Sequence, residues 1–162
     1  MKPDSLYNHG MKMLQYSTKN AQNNKVGWFR GGRDISYKQN SYKKKNGGYY
    51  YTLSFVISFT FNNDEVYFAH CYPYTYTDLR FFIARACAPK YSDRVRKSTL
   101  GKTLAGNDFE SLIITNFTSD PHDIAARKCV VMTGRVHPGE SSGSFMIEGM
   151  IRFLLSDDES AV

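Results

Sequence analysis

Val130-Val-Met-Thr-Gly-Arg-Val-His-Pro-Gly-Glu140, continued by Ser141-Ser-Gly-Ser-Phe-Met-Ile-Glu-Gly-Met-Ile-Arg-Phe-Leu-Leu155, decides how the fold is read. The apolar run Cys129 to Met132 predicts a short buried strand. It ends at Thr133-Gly134, and Pro138-Gly139 signals a turn. Beyond Glu140 the apolar residues Met146, Ile147, Met150, Ile151, Leu154 and Leu155 fall at helical spacing, with Ser141 or Ser142 as the expected N-cap. His137 and Glu140 therefore belong to a strand-to-helix loop, with Glu140 at the helix start, where the helix dipole favours its anionic form. An imidazole and a carboxylate three residues apart across a tight turn can face one cation. Zinc takes both donor types at about 2.0–2.2 Å.

A bare His-x-x-Glu carries little weight, since it arises by chance in roughly one chain in five of this length. On spacing alone, a surface loop whose His137 and Glu140 merely cap a helix is the larger expectation. The whole string changes that balance. Arg135-Val-His-Pro-Gly-Glu140, entered from an apolar run and followed by a serine-rich helix start, resembles the first metal-binding segment of the cytosolic carboxypeptidases. These form the branch of the carboxypeptidase A-type zinc peptidases that trims glutamates from protein C-termini and side chains.

Outward from that segment, Asp120-Pro-His-Asp123 reads as a solvated turn. Ser98 to Leu104 and Phe109 to Thr115 read as two strands of a hairpin closed through Gly106-Asn107. Thr77 is the expected N-cap of a helix whose apolar face is Leu79, Phe82, Ile83 and Ala86. Thr52 to Phe61 alternates apolar and polar residues, which predicts a strand with one face on a core. Val66 to Tyr72 is expected to return as its partner. Asn40 to Gly48 reads as a loop and Ser17 to Lys25 as a polar stretch, with Gly31-Gly32 a tight turn between Val26–Arg30 and Asp34–Lys38. His9 reads as a hydrogen-bonded structural histidine.

Phe68-Ala-His-Cys-Tyr-Pro-Tyr-Thr-Tyr-Thr-Asp-Leu79 is a second point of resemblance. The cytosolic carboxypeptidases carry a similar Tyr-Pro-Tyr-Thr-Tyr string where their N-terminal β domain joins the peptidase domain. Leu6-Tyr-Asn-His-Gly-Met11 and Gly27-Trp28 also resemble that β domain. The resemblance implies an antiparallel, sandwich-like β domain over residues 1–73. It implies the truncated start of an α/β mixed-sheet zinc carboxypeptidase domain over 74–162.

It also implies Zn2+ as cofactor, with His137 and Glu140 as two of three protein ligands. The family's third ligand (a histidine), its catalytic glutamate and its substrate-binding arginines match no position here. No catalytic or substrate-binding residue is therefore assigned within the chain, and the 162 residues alone are expected to be inactive. The implied partner is a protein with acidic polyglutamate tails, tubulin being the family's usual one, and the implied compartment is the cytoplasm. The alternative is a catalytically inactive truncated paralogue that acts as a protein-binding β module.

Bulk composition is consistent with this reading. Hydrophobic residues make up 41% and charged residues 22% of 162, a globular balance. No apolar run approaches the ~20 residues of a membrane span, and the first residues show no signal-peptide core. Cys71, Cys87 and Cys129 show no metal or redox spacing, which points to thiols in a reducing compartment. Of the 21 basic residues, ten lie in residues 1–48 against only Asp4 and Asp34. The excess is spread through β and loop sequence, with only Lys43-Lys44-Lys45 clustered. That suits an acidic protein partner at least as well as nucleic acid, and no nucleic-acid role is expected.

Overall fold

In the computed structural model, which describes residues 3–161, the strands form three separate antiparallel sheets. The chain divides into two compact units, Met1–Tyr72 and Pro73–Val162.

The first unit is built around β1 (Met13–Ser17), which pairs with β2 (Phe29–Gly31) on one side and β5 (Val66–Ala69) on the other. Leu14, the second residue of β1, is fully buried. Nearby, the buried Tyr7 makes a 3.0 Å hydrogen bond between its hydroxyl and His70 Nδ1, with the two rings meeting edge-on. The polar stretch after β1 forms a helix, α1 (Thr18–Asn24). Its N-terminus is closed twice. Ser17 Oγ accepts from Asn20 N, and the Asp64 carboxylate accepts from the Thr18 hydroxyl at 2.8 Å and from Lys19 N at 3.0 Å. Desolvation pulls Asp64 upward, but the donors from Ser17, Lys19, Thr18 and Glu65 outweigh it and hold this carboxyl below its ordinary range.

The second sheet pairs β3 (Arg33–Lys43) with β4 (Tyr49–Val56). Three sequence expectations fail here for one reason. Alternation tells which face a strand buries, not which strand it meets. The loop expected over residues 40–48 is mostly strand and tight turn, with Gly47 and Gly48 at φ +84° and +73°. This local ribbon takes β4 as β3's partner. Val66–Ala69 is left to pair with β1, from Leu14↔Ala69 to Ser17↔Val66. Gly31-Gly32 closes no hairpin either. β2 and β3 belong to different sheets, and the chain swings between them at Gly32 (φ +92°) and Asp34 (φ +52°).

The second unit begins with α2 (Tyr76–Ala86), capped two residues earlier than the sequence suggested. Thr75 Oγ1 accepts from Asp78 N while the Asp78 carboxylate accepts from Thr75 N at 2.7 Å, a reciprocal box that Thr77 could not form with Asp78. The hydrogen bonds from Thr75 hold Asp78 below the usual carboxylate range. β6 (Val95–Lys102) and β7 (Asp108–Ile114) form the expected hairpin, with an irregularity between Thr99 and Gly101. Asp120 caps a short helix, α3 (Pro121–Ala126), where a turn was expected.

α4 (Ser141–Leu154) closes the unit. Phe82, Ile83 and Ala86 of α2 pack with Val95 of β6 and Leu155 at the end of α4. Cys87, Tyr91, Leu112, Ile114 and Ile151 surround this core, and burial pushes the Cys87 thiol up.

Cys129 to Met132 is not a strand. These residues join no ladder, and Val130 and Val131 are 80% and 81% exposed. A short apolar run becomes a strand only beside a partner, and β6–β7 is a two-stranded sheet that pairs only with itself. The cysteines form no disulfide. No helix among the described residues is long and apolar enough to cross a membrane.

Candidate metal centre

The loop from Thr133 to Glu140 is held against the first turns of α4 by close backbone approach. A Cβ at Gly134 would meet Ile147 Cγ1 at 2.6 Å and Gly143 O at 3.0 Å, and one at Gly143 would meet Arg135 N at 3.0 Å. Both positions therefore require glycine for space rather than for φ. Arg135 follows with φ +60°, an unusual left-handed conformation for a residue with a side chain. Its guanidinium offsets that strain. Nε donates to Pro138 O at 2.8 Å, and Nη1 donates to Tyr74 O at 3.0 Å and Ser144 Oγ at 3.3 Å. Arg135 thus ties the turn to itself, to the entrance of α2 and to the first turn of α4.

The turn carries the two residues singled out from sequence. Glu140 N donates to His137 O at 3.0 Å, and Gly143 N donates to Glu140 O at 3.0 Å, so the loop runs directly into the helix. Glu140 itself holds the N-cap position expected for Ser141 or Ser142, without a side-chain capping bond. Ser141 is instead buried at the first helical position. The Glu140 carboxylate is free to turn back along the loop, where its Oε1 accepts from His137 Nδ1 at 3.1 Å. Both side chains face solvent, 75% and 64% exposed.

Two donors bound to one zinc ion at about 2.0–2.2 Å each lie at most ~4 Å apart, so a 3.1 Å separation fits a shared ion. The donor types, neutral imidazole nitrogen and carboxylate oxygen, suit zinc as well. Among the described residues no third His, Cys, Asp or Glu joins them in a group able to hold a metal. His9 pairs with Asp4 at 2.9 Å, and His70 with Tyr7, both in the first unit. His122 lies in α3.

One helical turn further on, the supporting contacts involve residues that sequence reasoning did not single out. The Tyr74 hydroxyl donates to Glu148 Oε2 at 2.9 Å, and Arg152 Nε donates to Glu148 Oε1 at 3.0 Å. Tyr74 also packs edge-on against Phe145, with ring centroids 5.0 Å apart. Burial, with the Glu148 carboxylate beside it, pushes the Tyr74 phenol well above its ordinary value. Tyr74 and Arg135 link the start of the unit to its second half. The only sequence trace of this was Tyr74's place in the aromatic string at the unit boundary.

Comparison with known proteins bears directly on this site. Residues 83–162 match the zinc carboxypeptidase family. The whole chain is similar to cytosolic carboxypeptidase 2 of Homo sapiens, with 42% identity over 99% of this chain and 18% of the relative. Cytosolic carboxypeptidase 2 of Xenopus tropicalis is also 42% identical, over 17% of its length, and cytosolic carboxypeptidase 3 of Mus musculus is 39% identical over 16%. The chain thus spans about a fifth of the length of the curated relatives it matches. No solved structure matches it. The zinc carboxypeptidase match covers His137 and Glu140, and the similarity to the cytosolic carboxypeptidases runs nearly end to end along the chain.

Proposed function

We propose that this chain supplies the first metal-binding segment of a zinc-dependent metallocarboxypeptidase that removes C-terminal or side-chain glutamates from proteins such as tubulin. In this reading the unit ending at Tyr72 is the enzyme's sandwich-like N-terminal β domain. The unit from Pro73 is the start of its mixed-sheet peptidase domain, and the setting is the cytoplasm. The observation that carries the proposal is the 3.1 Å pairing of His137 and Glu140 at the start of α4, inside the region that matches the family.

His137 and Glu140 would hold the ion, and Arg135 would keep their loop in register with α4. A zinc ion held by protein donors with one position open supplies a water of pKa near ~7 and polarises a carbonyl. Two donors hold an ion less firmly and orient it less well than three. On this account residues 1–162 alone bind zinc weakly and release no glutamate.

A chimera tests the function directly. These 162 residues replace the matching segment of the human relative, and glutamate release from a glutamate-tailed protein is measured. Zinc-dependent release is expected, and His137→Ala or Glu140→Gln in the inserted segment should abolish it. A folded chimera that binds zinc but releases no glutamate would refute the proposal. So would undiminished release by either variant.

A further inference from the structure

The turn between β3 and β4 holds a reactive pair that the metal site does not use. Lys44 O accepts from Gly47 N at 3.2 Å, which makes residues 44–47 a β-turn with Asn46 at its third position. Lys44 N donates to Gly48 O at 3.1 Å and closes the loop. Asn46 and Gly47 are both exposed, and a Cβ added at Gly47 would meet nothing within 4 Å. Asn46-Gly47 is the single asparagine–glycine step in the sequence, and no aspartate is followed by glycine.

A main-chain nitrogen that follows asparagine can attack the side-chain amide carbon and close a five-membered imide. Glycine obstructs this least, because without a Cβ it neither shields its nitrogen nor restricts the rotation that brings it onto Asn46 Cγ. Other asparagines are held in place by their amides. Asn40 Oδ1 accepts from Tyr42 N at 3.0 Å, and Asn116 Oδ1 accepts from Thr118 N at 3.0 Å. Asn20 lies in α1 and its Oδ1 accepts from Asn24 Nδ2 at 2.8 Å. The Asn46 side chain makes no hydrogen bond among the described residues.

We propose that Asn46 is a site of spontaneous modification, passing through a succinimide to isoaspartate and aspartate. Gly47 N attacks Asn46 Cγ, and the ring C–N bond forms. The Cγ–Nδ2 bond breaks, and Nδ2 leaves as ammonia with the proton that Gly47 N gives up. Water then opens the ring. Addition at Cγ gives aspartate, and addition at the Asn46 main-chain carbonyl carbon gives isoaspartate. Attack requires the turn to open, because Lys44 O holds the Gly47 N–H. An exposed turn opens at low cost, so the fold slows the reaction without preventing it. Isoaspartate lengthens the main chain by one carbon between residues 46 and 47, which pulls Gly47 and Gly48 out of register with Lys44. Either product places a carboxylate beside Lys43, Lys44 and Lys45. The isoaspartyl form is a substrate for the class of methyltransferase that esterifies isoaspartate.

The test ages the full 162-residue chain in EDTA for several weeks at neutral pH and body temperature, beside a peptide of residues 42–51. Circular dichroism confirms that the chain stays folded. Peptide mapping by mass spectrometry reads amide loss at each asparagine. Methyl transfer from labelled S-adenosylmethionine by an isoaspartyl methyltransferase reads isoaspartate. Asn46 should convert ahead of every other asparagine and more slowly than in the peptide, with the two rates meeting in strong urea. The aged chain should exchange its Lys44 and Gly47 amide hydrogens faster than the fresh one. Asn46→Gln, which would have to close a six-membered imide, should lose the methyl acceptance. The inference is overturned if another asparagine converts first or if Asn46 keeps its amide after the peptide is exhausted. Equal methyl acceptance by Asn46→Gln and the parent would overturn it as well.

Discussion

Arg135→Ala tests whether the metal-site loop is preformed. The substitution removes two part-buried hydrogen bonds, to Tyr74 O and Ser144 Oγ, and one exposed bond to Pro138 O. Bonds from a charged donor are worth about 1.5–3 kcal/mol each when water is excluded. Arg135 is half-buried, so the low end applies to the first two, and the exposed bond adds less than ~1 kcal/mol. The expected loss is about 3–4 kcal/mol. Alanine would retain the unfavourable φ of +60°, whereas Arg135→Gly relieves it by about 1 kcal/mol. The glycine variant should therefore be the more stable of the two despite losing the same bonds. Urea denaturation measures both differences, and hydrogen exchange at the Glu140 and Gly143 amides reports whether the turn loosens. The reasoning is refuted if Arg135→Ala costs less than ~0.5 kcal/mol with unchanged exchange, or if glycine is no better than alanine.

Four further outcomes are expected. Gly134→Ala forces a methyl into Ile147 and the Gly143 carbonyl and should cost about 1–3 kcal/mol, with near-ultraviolet dichroism changing as α4 shifts. Thr75→Ala breaks the capping box and should cost about 1 kcal/mol by urea denaturation. Tyr74→Phe removes the hydroxyl from Glu148. Because the folded phenol titrates above the unfolded one, its contribution is complete below about pH 10 and declines as pH rises beyond it, a decline the phenylalanine variant should lack in pH-dependent melting. Asp64 has the opposite sign. Its lowered carboxyl stabilises α1 above the ordinary aspartate range and ceases to as pH falls through it, so Asp64→Asn should flatten the acid side of the stability profile.

Local features were legible in the sequence where chemistry and spacing coincide. α4 follows from the positions of Met146 to Leu155, and the β6–β7 hairpin from two strand-like runs around Gly106-Asn107. His137 and Glu140 were singled out by the family resemblance of the string around them, since spacing alone favoured a capped surface loop; the fold places them 3.1 Å apart. Pairing was less legible. The strand expected over Thr52 to Phe61 runs only from Tyr49 to Val56, and its partner is the preceding β3 rather than β5, because periodicity carries no information about neighbours. The Cys129–Met132 run shows the same limit, since hydrophobicity alone does not provide a ladder. Helix α1 was missed because nothing in its polar face is periodic. Its stability rests on Ser17 and on Asp64, 46 residues from Thr18. The supports of the metal loop were hidden likewise, since Arg135 reaches the Tyr74 carbonyl across 61 residues.

The central claim is that His137 and Glu140 take zinc together, and histidine NMR tests it most directly. The chain has four histidines, so His9, His70 and His122 serve as internal references during a Zn2+ titration of imidazole resonances. The account predicts that His137 shifts at lower zinc than the other three histidines, over the excess of zinc that a two-donor site requires, and that Glu140→Gln weakens this shift about tenfold or more while leaving the other three unmoved. Equal shifts at His9, His70 or His122, or a His137 response indifferent to Glu140→Gln, would contradict it.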